Sequence, residues 1–148
     1  MSVPSIMLVD DENLFVETTA KRLEKRKIKV MQAFSGKQCL EKLQADETIE
    51  VIVLDVKMPG MDGLETLREI KKLFPLIEVI MLTGHGTIES AVEGMKRGAF
   101  DFLVKPCDIE ALAAKVQEAA TKKREHEEKI KDAYKRETLA KYGPFYYA

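Results

Sequence analysis

The chain has 148 residues, of which 45% are hydrophobic and 33% charged, and its formal net charge is −1. These values are typical of an ordinary soluble protein with one domain, a sizeable core and room for an appendage. No apolar run approaches the ~20 residues that a membrane helix needs, so the sequence excludes a membrane protein of that kind.

The N-terminus and the cysteines both favour a cytoplasmic protein. The first residues, MSVPSIMLVDD, have no basic region before a short apolar run, so we expect no signal peptide. Cys39 and Cys107 are the two cysteines and form no CxxC pair. We therefore expect buried free thiols in a reducing compartment, not a disulfide or zinc framework.

Charge is distributed unevenly along the chain. From Lys122 to the end, eight Lys and Arg residues outnumber five Asp and Glu residues, which gives +3 there and −4 over residues 1–121. This asymmetry predicts a boundary near residue 121, with a domain over 1–121 and a C-terminal extension or linker over 122–148. The excess of positive charge is too small to predict a nucleic-acid-binding surface.

Short apolar runs alternate with helix-length amphipathic segments. The runs predict strands over residues 6–9, 28–33, 51–54, 77–82 and 100–104. The segments between them predict helices over 13–26, 35–44, 63–74 and 87–97, with Ser35 and Thr87 as N-caps, and a fifth helix from about Asp108. Five βα repeats indicate an α/β fold with a doubly wound parallel sheet. Right-handed crossovers favour the flavodoxin-like strand order 2-1-3-4-5.

We expect the fifth helix to extend beyond residue 121 and to form a long C-terminal helix. Residues 122–142, KKREHEEKIKDAYKRETLAKY, are strongly helix-forming but mostly polar. The positions that could form a coiled-coil seam along this helix are polar in the middle, so they predict a coiled coil only weakly. These positions are Ile109, Leu112, Val116, Ala119, Lys123, His126, Ile130 and Ala133. A solvated extended helix and a linker are the alternatives. The final GPFYYA is compatible with docking back, with partner binding or with a mere chain end.

Acidic residues follow two strands that the expected topology makes neighbours. Asp10 and Asp11 follow the first strand, and Asp55 ends the third within VIVLDVKMPGMDG, residues 51–63. Ligands of doubly wound sheets bind beyond the carboxyl ends of the strands, where the strand order reverses. Three carboxylates there repel one another unless a cation lies among them, and hard oxygen ligands favour Mg²⁺. The alternative is that residues 10–12 merely cap the first helix, which leaves Asp55 unexplained.

Two further strand ends bring polar groups to the same crevice. Thr83 follows the fourth strand, and Lys105 follows the fifth. A lysine ammonium and a threonine hydroxyl can both donate hydrogen bonds to phosphate oxygens. Lys105 as an ordinary surface lysine is the alternative, and its place between Val104 and Pro106 argues against it.

Together these motifs resemble the receiver domain of bacterial two-component response regulators, over about residues 4–121. The resemblance is carried by DDE at 10–12, LDVKMPGMDG at 54–63, the Thr83-Gly84 step and AFDFLVKP at 99–106. It implies that Asp55 is the phosphoacceptor and that Lys105, before a cis Pro106, contacts the acyl phosphate. It also implies Mg²⁺ as the cofactor, and a sensor histidine kinase or a phosphotransfer protein as the donor. The Mg²⁺ ligands would be Asp10, Asp11, Asp55 and the backbone carbonyl of Lys57.

The same resemblance implies how the signal leaves the site. Thr83 would move toward the phosphoryl group, and Phe102 would fill the vacated space; Phe102 as simple core is the alternative. Lys57 and His85 occupy positions that tune the lifetime of the phosphoryl group. The fourth helix, fifth strand and fifth helix, roughly residues 87–120, would then present the changed surface to a downstream protein effector, which the sequence does not identify.

Rival functions differ in the residues they need. A haloacid-dehalogenase-like phosphatase requires a DxDx(T/V) pattern, whereas Asp55 is followed by Val56 and Lys57. An inert scaffold is disfavoured by the intact set of site residues. We therefore expect a protein that catalyses only its own phosphorylation and dephosphorylation, not an enzyme.

The output of the receiver is less well defined by the sequence. The segment MLTGHGTIESAVEGMKRGAFDFLVKP resembles receivers that precede ATPase transcription activators. The chain is thus either a stand-alone receiver or a fragment of a larger transcriptional regulator. In the second case residues 122–142 would be a linker that forms a homodimer. We expect no direct nucleic acid binding by the receiver in either case.

Overall fold

The structure, a computed structural model, describes residues 3–58, 60–84 and 88–143, with Ile88 described by its backbone alone. The predicted N-cap Thr87 and residues 144–148 of the GPFYYA end lie outside the described residues. Within the described part of the chain, no helix is both long enough and apolar enough to cross a membrane.

In the described ranges, five parallel strands form one sheet in the order β2-β1-β3-β4-β5, which confirms the predicted flavodoxin-like topology. They are β1 (Ser5–Val9), β2 (Lys29–Ala33), β3 (Val51–Asp55), β4 (Glu78–Thr83) and β5 (Asp101–Val104). Each predicted strand end agrees with the observed end or differs from it by one residue. The sheet ladder includes Asp55 and Thr83, which pair with Leu82 and Val104, so both polar residues are held by strands and not by loops.

Among the residues that the structure describes, five helices alternate with the strands: α1 (Asn13–Glu24), α2 (Gly36–Ala45), α3 (Gly63–Leu73), α4 (Ile88–Lys96) and α5 (Ile109–Tyr142). The predicted cap at Ser35 is confirmed, because its hydroxyl accepts a hydrogen bond from the Gln38 N–H at 3.1 Å. Asp62 and Asp108 cap α3 and α5 in the same way. These caps fix where the helices begin relative to the strand ends.

The sheet is covered on both faces, as its near-continuous apolar strands require. On one face, β1, β3 and β4 pack against α2 and α3 through residues such as Leu54, Met81 and Leu67. On the other face the same strands pack against α1 and α5 through residues such as Leu8, Val53 and Val116. Side chains at the carboxyl ends of the strands therefore stand on a rigid frame.

The cysteines are free thiols with different degrees of burial. Cys39 is buried in the core, where burial raises the pKa of its thiol to about 12. Cys107 is only partly buried, so the expectation that both thiols are buried is wrong for this residue. Cys107 lies in the loop between β5 and α5, whereas Cys39 lies on α2 and packs into the core against the sheet.

Helix α5 continues through residue 121 without a break and ends at Tyr142. Residues 122–142 are therefore helical, as the extended-helix alternative predicts. Arg124 joins the extension to the sheet, because its Nε and Nη2 donate to the Glu50 carboxylate at 2.6 and 2.8 Å. The boundary expected near residue 121 falls within this helix and stays a prediction.

Candidate functional site

Three aspartates meet at the carboxyl ends of β1 and β3. One carboxylate oxygen from each of Asp10, Asp11 and Asp55 lies within 4.8 Å of the other two. Asp10 and Asp55 are buried, with 1% and 7% of their surface exposed, whereas Asp11 is exposed. The structure thus brings together the three carboxylates that the sequence placed in one crevice.

The register of the sheet explains this convergence. Val9 pairs with Leu54, so the residues that follow them, Asp10 and Asp55, stand side by side where the two strands end. The Asp10 N–H donates to the Ala33 carbonyl at 3.2 Å, and its Oδ1 accepts a hydrogen bond from the Glu12 N–H at 3.0 Å. These bonds orient the Asp10 carboxylate at the start of α1.

Lys105 places one positive charge in this acidic crevice. Its Nζ lies 2.5 Å from Asp10 Oδ2, 3.8 Å from Glu12 Oε1 and 4.0 Å from Asp55 Oδ1. The Lys105 side chain is only 12% exposed. Lys105 therefore interacts with the cluster from within the crevice and pairs more closely with Asp10 than with Asp55.

Burial and neighbouring charges shift the pKa values of Asp55 and Lys105. Burial raises the pKa of Asp55 from 3.8 to about 6, the charge of Asp10 adds to this rise, and Lys105 opposes it. Burial alone would lower the pKa of Lys105, but its hydrogen bond to Asp10 and the nearby carboxylates outweigh burial and raise it. At neutral pH, Asp55 is thus largely ionised and Lys105 carries its proton.

The donor set fits a hard divalent cation such as Mg²⁺. Carboxylate oxygens are the ligands that this ion prefers, and the three aspartate oxygens are close enough to share one ion. One ammonium does not balance the carboxylates around it, so a cation would also relieve their repulsion. The identity of Asp10, Asp11 and Asp55 as metal ligands, and that of the Lys57 carbonyl, stays a prediction.

Thr83 and Lys105 lie next to each other at the adjacent strand ends. Thr83 is 4% exposed, and its carbonyl accepts a hydrogen bond from the Lys105 N–H at 2.6 Å. The Lys105–Pro106 peptide bond is cis, as the resemblance implies. Thr83 follows Leu82, the partner of Asp55 in the sheet, so Thr83 and Lys105 lie at strand ends beside the end of β3.

Gly63 allows α3 to begin against the end of β3. A Cβ added at this position would lie 2.1 Å from the Asp55 carbonyl oxygen and 2.7 Å from the Val56 Cα, closer than real atoms approach. The Gly63 N–H also donates to the Val56 carbonyl at 2.8 Å. A glycine at position 63 is therefore required by the backbone at the end of β3, which carries Asp55. From the sequence alone, Gly63 was predicted only as a turn residue.

Lys57 and Phe102 both have exposed side chains. The exposed Lys57 side chain borders a surface cavity of about 410 Å³ shared with Val56, Met58 and Ser90. Phe102 is 38% exposed and pairs with Met81 in the sheet, so it is not simple core. His85, the other residue expected to tune phosphoryl lifetime, lies outside the described residues.

The structure adds two neighbours of Lys105 that sequence reasoning missed. Glu12 occupies the N-cap position of α1 without a capping hydrogen bond from its side chain, and its carboxylate lies near Lys105 instead. The Phe15 ring lies beneath the Lys105 ammonium, with its centroid 4.1 Å from Nζ. The sequence shows that both residues follow Asp11 closely. It does not show their contacts with Lys105, which lies about ninety residues further along the chain.

Comparisons with known proteins match most of the chain to one family. A family profile described as "Response regulator receiver domain" matches residues 6–117. The chain is 38% identical over 114 residues to the transcriptional regulatory protein ZraR of Escherichia coli K12, covering 77% of this chain and 26% of that protein. It is 34% identical over 123 residues to the DNA-binding transcriptional regulator NtrC of the same strain, covering 83% and 26%. The chain spans about a quarter of the length of these relatives.

Solved structures resemble the fold over most of the chain. A response regulator receiver domain protein from Clostridium thermocellum superposes with a TM-score of 0.79 at 35% identity, covering 82% of this chain and 98% of that one. NtrX from Brucella abortus superposes with a TM-score of 0.80 at 32% identity, covering 85% of this chain and 29% of that one. On the profile match, the sheet order and these relatives, the chain belongs to the receiver domain family of two-component response regulators.

Proposed function

We propose that the chain is a phosphorylation-activated signalling switch in which Asp55 accepts a phosphoryl group from a sensor histidine kinase or a phosphotransfer protein. The observation that carries this proposal is the cluster of Asp10, Asp11 and Asp55 with the Lys105 ammonium 4.0 Å from Asp55. An acidic crevice with one cation matches the charge pattern that phosphoryl transfer to a carboxylate needs.

The reaction begins with an ionised Asp55 carboxylate at the end of a rigid strand. One Asp55 oxygen attacks phosphorus in line while the bond from phosphorus to the donor histidine nitrogen breaks, and the histidine leaves with the bonding electrons. Lys105 donates to the equatorial phosphoryl oxygens, and the Thr83 hydroxyl donates to another. Because the pKa of Asp55 is about 6, most molecules carry the attacking carboxylate at neutral pH.

Magnesium would be held by Asp10, Asp11 and Asp55 together with the backbone carbonyl of Lys57. When bound, Mg²⁺ supplies positive charge that offsets the repulsion between the carboxylates and an incoming phosphoryl group. Asp10 and Asp11 would hold that charge close to the Asp55 carboxylate. The chain acts on no separate substrate in this scheme, since it forms and loses only its own acyl phosphate.

Phosphorylation would change the surface formed by α4, β5 and α5. The phosphoryl group adds about −1.5 to −2 charge and three acceptor oxygens close to Thr83. Phe102, on β5, would move inward as Thr83 turns toward that group. Among the described side chains of α4 and β5, four exposed apolar ones could dock a protein effector: Val92, Met95, Phe102 and Val104.

A second candidate is a receiver that forms part of a larger transcriptional regulator. Its support is that the chain spans 26% of ZraR and of NtrC, which are transcriptional regulators by name. Helix α5 would then be a dimerising linker beyond residue 121. The two candidates share the Asp55 chemistry and differ only in what receives the signal.

Intact mass measurement tests the proposed chemistry. After incubation with acetyl phosphate and Mg²⁺, the wild type should gain one phosphoryl group, and chelation of Mg²⁺ should abolish the gain. Asp55→Asn should show no adduct. Asp62→Asn is the matched control, because Asp62 lies in the same loop but caps α3 outside the cluster. An adduct that persists in Asp55→Asn, or that forms equally without Mg²⁺, would contradict the proposal.

A further inference from the structure

The Lys105 ammonium has a neighbour that the proposed chemistry does not use. Its Nζ lies over the ring of Phe15, 4.1 Å from the ring centroid. At this distance the negative face of the ring attracts a cation. The contact joins the start of α1 to the loop after β5, and so connects two elements that both border the aspartate cluster.

Phe15 is held firmly enough to position a cation. It lies in the first turn of α1, is partly buried, and packs against the apolar cluster between the sheet, α1 and α5. The preceding residue, Leu14, is 78% exposed and points away from that cluster. The ring is therefore supported by the core on one side and meets the ammonium on the other.

The other attractions on Lys105 come from carboxylates. Asp10 lies at 2.5 Å, Glu12 at 3.8 Å and Asp55 at 4.0 Å from its Nζ. If Asp10 held Mg²⁺, the ion would offset part of the Asp10 charge, and the attraction of Asp10 for Lys105 would weaken. The attraction of the Phe15 ring does not depend on the charge state of any carboxylate. It would therefore remain available to the Lys105 ammonium while Mg²⁺ offsets the charge of Asp10.

We propose that Phe15 is a positioning residue whose ring holds the Lys105 ammonium where the phosphoryl oxygens arrive. The inference rests on the proposed function, because it assigns a role to Phe15 in the same reaction. It predicts that the ring contributes to binding of the phosphoryl group and contributes little to binding of Mg²⁺ alone. A purely structural role for Phe15 would not separate the two.

Calorimetric titrations of the full chain test this separation. Mg²⁺ is titrated first, and beryllofluoride, a phosphoryl mimic, is then titrated at saturating Mg²⁺. Phe15→Leu should weaken beryllofluoride binding about two- to fivefold, while Mg²⁺ affinity changes less than about twofold. Phe15→Tyr retains an aromatic face and should bind beryllofluoride like the wild type. Leu14→Ala, a change at the exposed neighbour, is the matched control and should leave both affinities unchanged.

The possible outcomes distinguish this inference from the proposed function. If the wild type binds beryllofluoride and Phe15→Leu binds it equally well, Phe15 has no positioning role. An equal loss of Mg²⁺ and beryllofluoride affinity in Phe15→Leu would also overturn it, since that pattern indicates a structural role. If the wild type itself binds no beryllofluoride, the proposed function fails and the inference with it. Should Phe15→Leu not fold, Phe15→Met gives the same comparison with a flexible apolar side chain.

Discussion

At the residue scale, Asp55 is a carboxylate whose charge is unfavourable in the folded chain. Its pKa is raised from 3.8 to about 6 by burial and by the charge of Asp10. A carboxylate with a raised pKa favours the folded state below about pH 4, and this contribution is lost as the pH rises through 6. A buried charge that lowers stability is typical of a site shaped for a ligand.

We therefore expect Asp55→Asn to increase the free energy of unfolding in chelated buffer at pH 7.5. The expected gain is about 1–2 kcal/mol, because solvent screening reduces the full value of about 1.4 kcal/mol per pKa unit. Near pH 4 the gain should largely vanish, since wild-type Asp55 is then protonated. Urea denaturation at the two pH values measures the difference. A gain of the same size at pH 4 would show that the Asp55 charge is not its cause.

The sequence predicted the aspartate cluster because strand ends and carboxylates are both local features. Once the strand order is known, Asp10, Asp11 and Asp55 must meet at one edge. The positions of Phe15 and Glu12 around Lys105 could not be predicted in the same way. They depend on how α1 packs beside the loop after β5, and several side-chain directions are compatible with the same apolar spacing.

At the element scale, α5 is fastened to the sheet where the domain body ends. Arg124 donates two hydrogen bonds to Glu50, whose side chain is 13% exposed, and Glu50 also accepts from the Ser5 N–H at 3.3 Å. Burial would raise the pKa of Glu50, but the bonds from Arg124 and Ser5 outweigh burial and lower it. Lys122 lies 3.9 Å from the buried Glu78 on the next strand.

Loss of this attachment should loosen the extension. We expect Arg124→Gln to lower the free energy of unfolding at pH 7 by about 1–2 kcal/mol, as for other hydrogen bonds to a partly buried charge. Hydrogen exchange should also become faster over residues 125–142. Because the pKa of Glu50 is lowered, ionised Glu50 stabilises the fold at pH values above its ordinary pKa of 4.5. This stabilisation is lost as the pH falls below 4.5.

Arg136→Gln is the matched control for this experiment, because Arg136 is an exposed arginine on the same helix. It should leave both stability and exchange close to the wild-type values. If Arg124→Gln behaved like this control, the extension would be held by its own helical hydrogen bonds and not by Glu50.

Strands and helices were predictable where apolar residues formed a continuous run or recurred every three or four positions. This condition holds for all five strands and for the first part of α5. The extension of α5 over residues 122–142 was predicted from their helix-forming composition and is confirmed, but a mostly polar segment did not decide between a solvated helix and a linker. The attachment of Arg124 to Glu50 could not be predicted either, since these residues are 74 positions apart in the chain.

At the scale of the whole molecule, the face of α5 that packs on the sheet continues beyond the sheet. Leu112 and Val116 are buried on this face, and Ile130 and Tyr134 extend it along the helix axis. Ile130 is 51% exposed and Tyr134 is 61% exposed. Exposed apolar side chains that continue a packed face suit pairing of two α5 extensions, in agreement with the dimerising-linker candidate.

If two copies pair through this face, Ile130→Lys should make a dimeric chain monomeric, because a charge would be buried at the seam. Light scattering coupled to size-exclusion chromatography measures the mass. Leu139→Lys is the matched control: Leu139 is 40% exposed and lies nine residues, or two and a half turns, beyond Ile130, on the opposite side of the helix. It makes the same chemical change away from the seam and should leave the dimer intact.

The site of the substitution matters here, because removal of residues 122–148 would also remove Arg124 and expose Glu50. A mass change in such a truncated chain could follow from a disturbed sheet edge. Ile130→Lys leaves the attachment at Glu50 intact and changes only the exposed face. A wild-type chain that is already monomeric, or an equal loss of dimer in Ile130→Lys and Leu139→Lys, would reject this seam. The α4, β5 and α5 surface would then be the remaining candidate for the output of the switch.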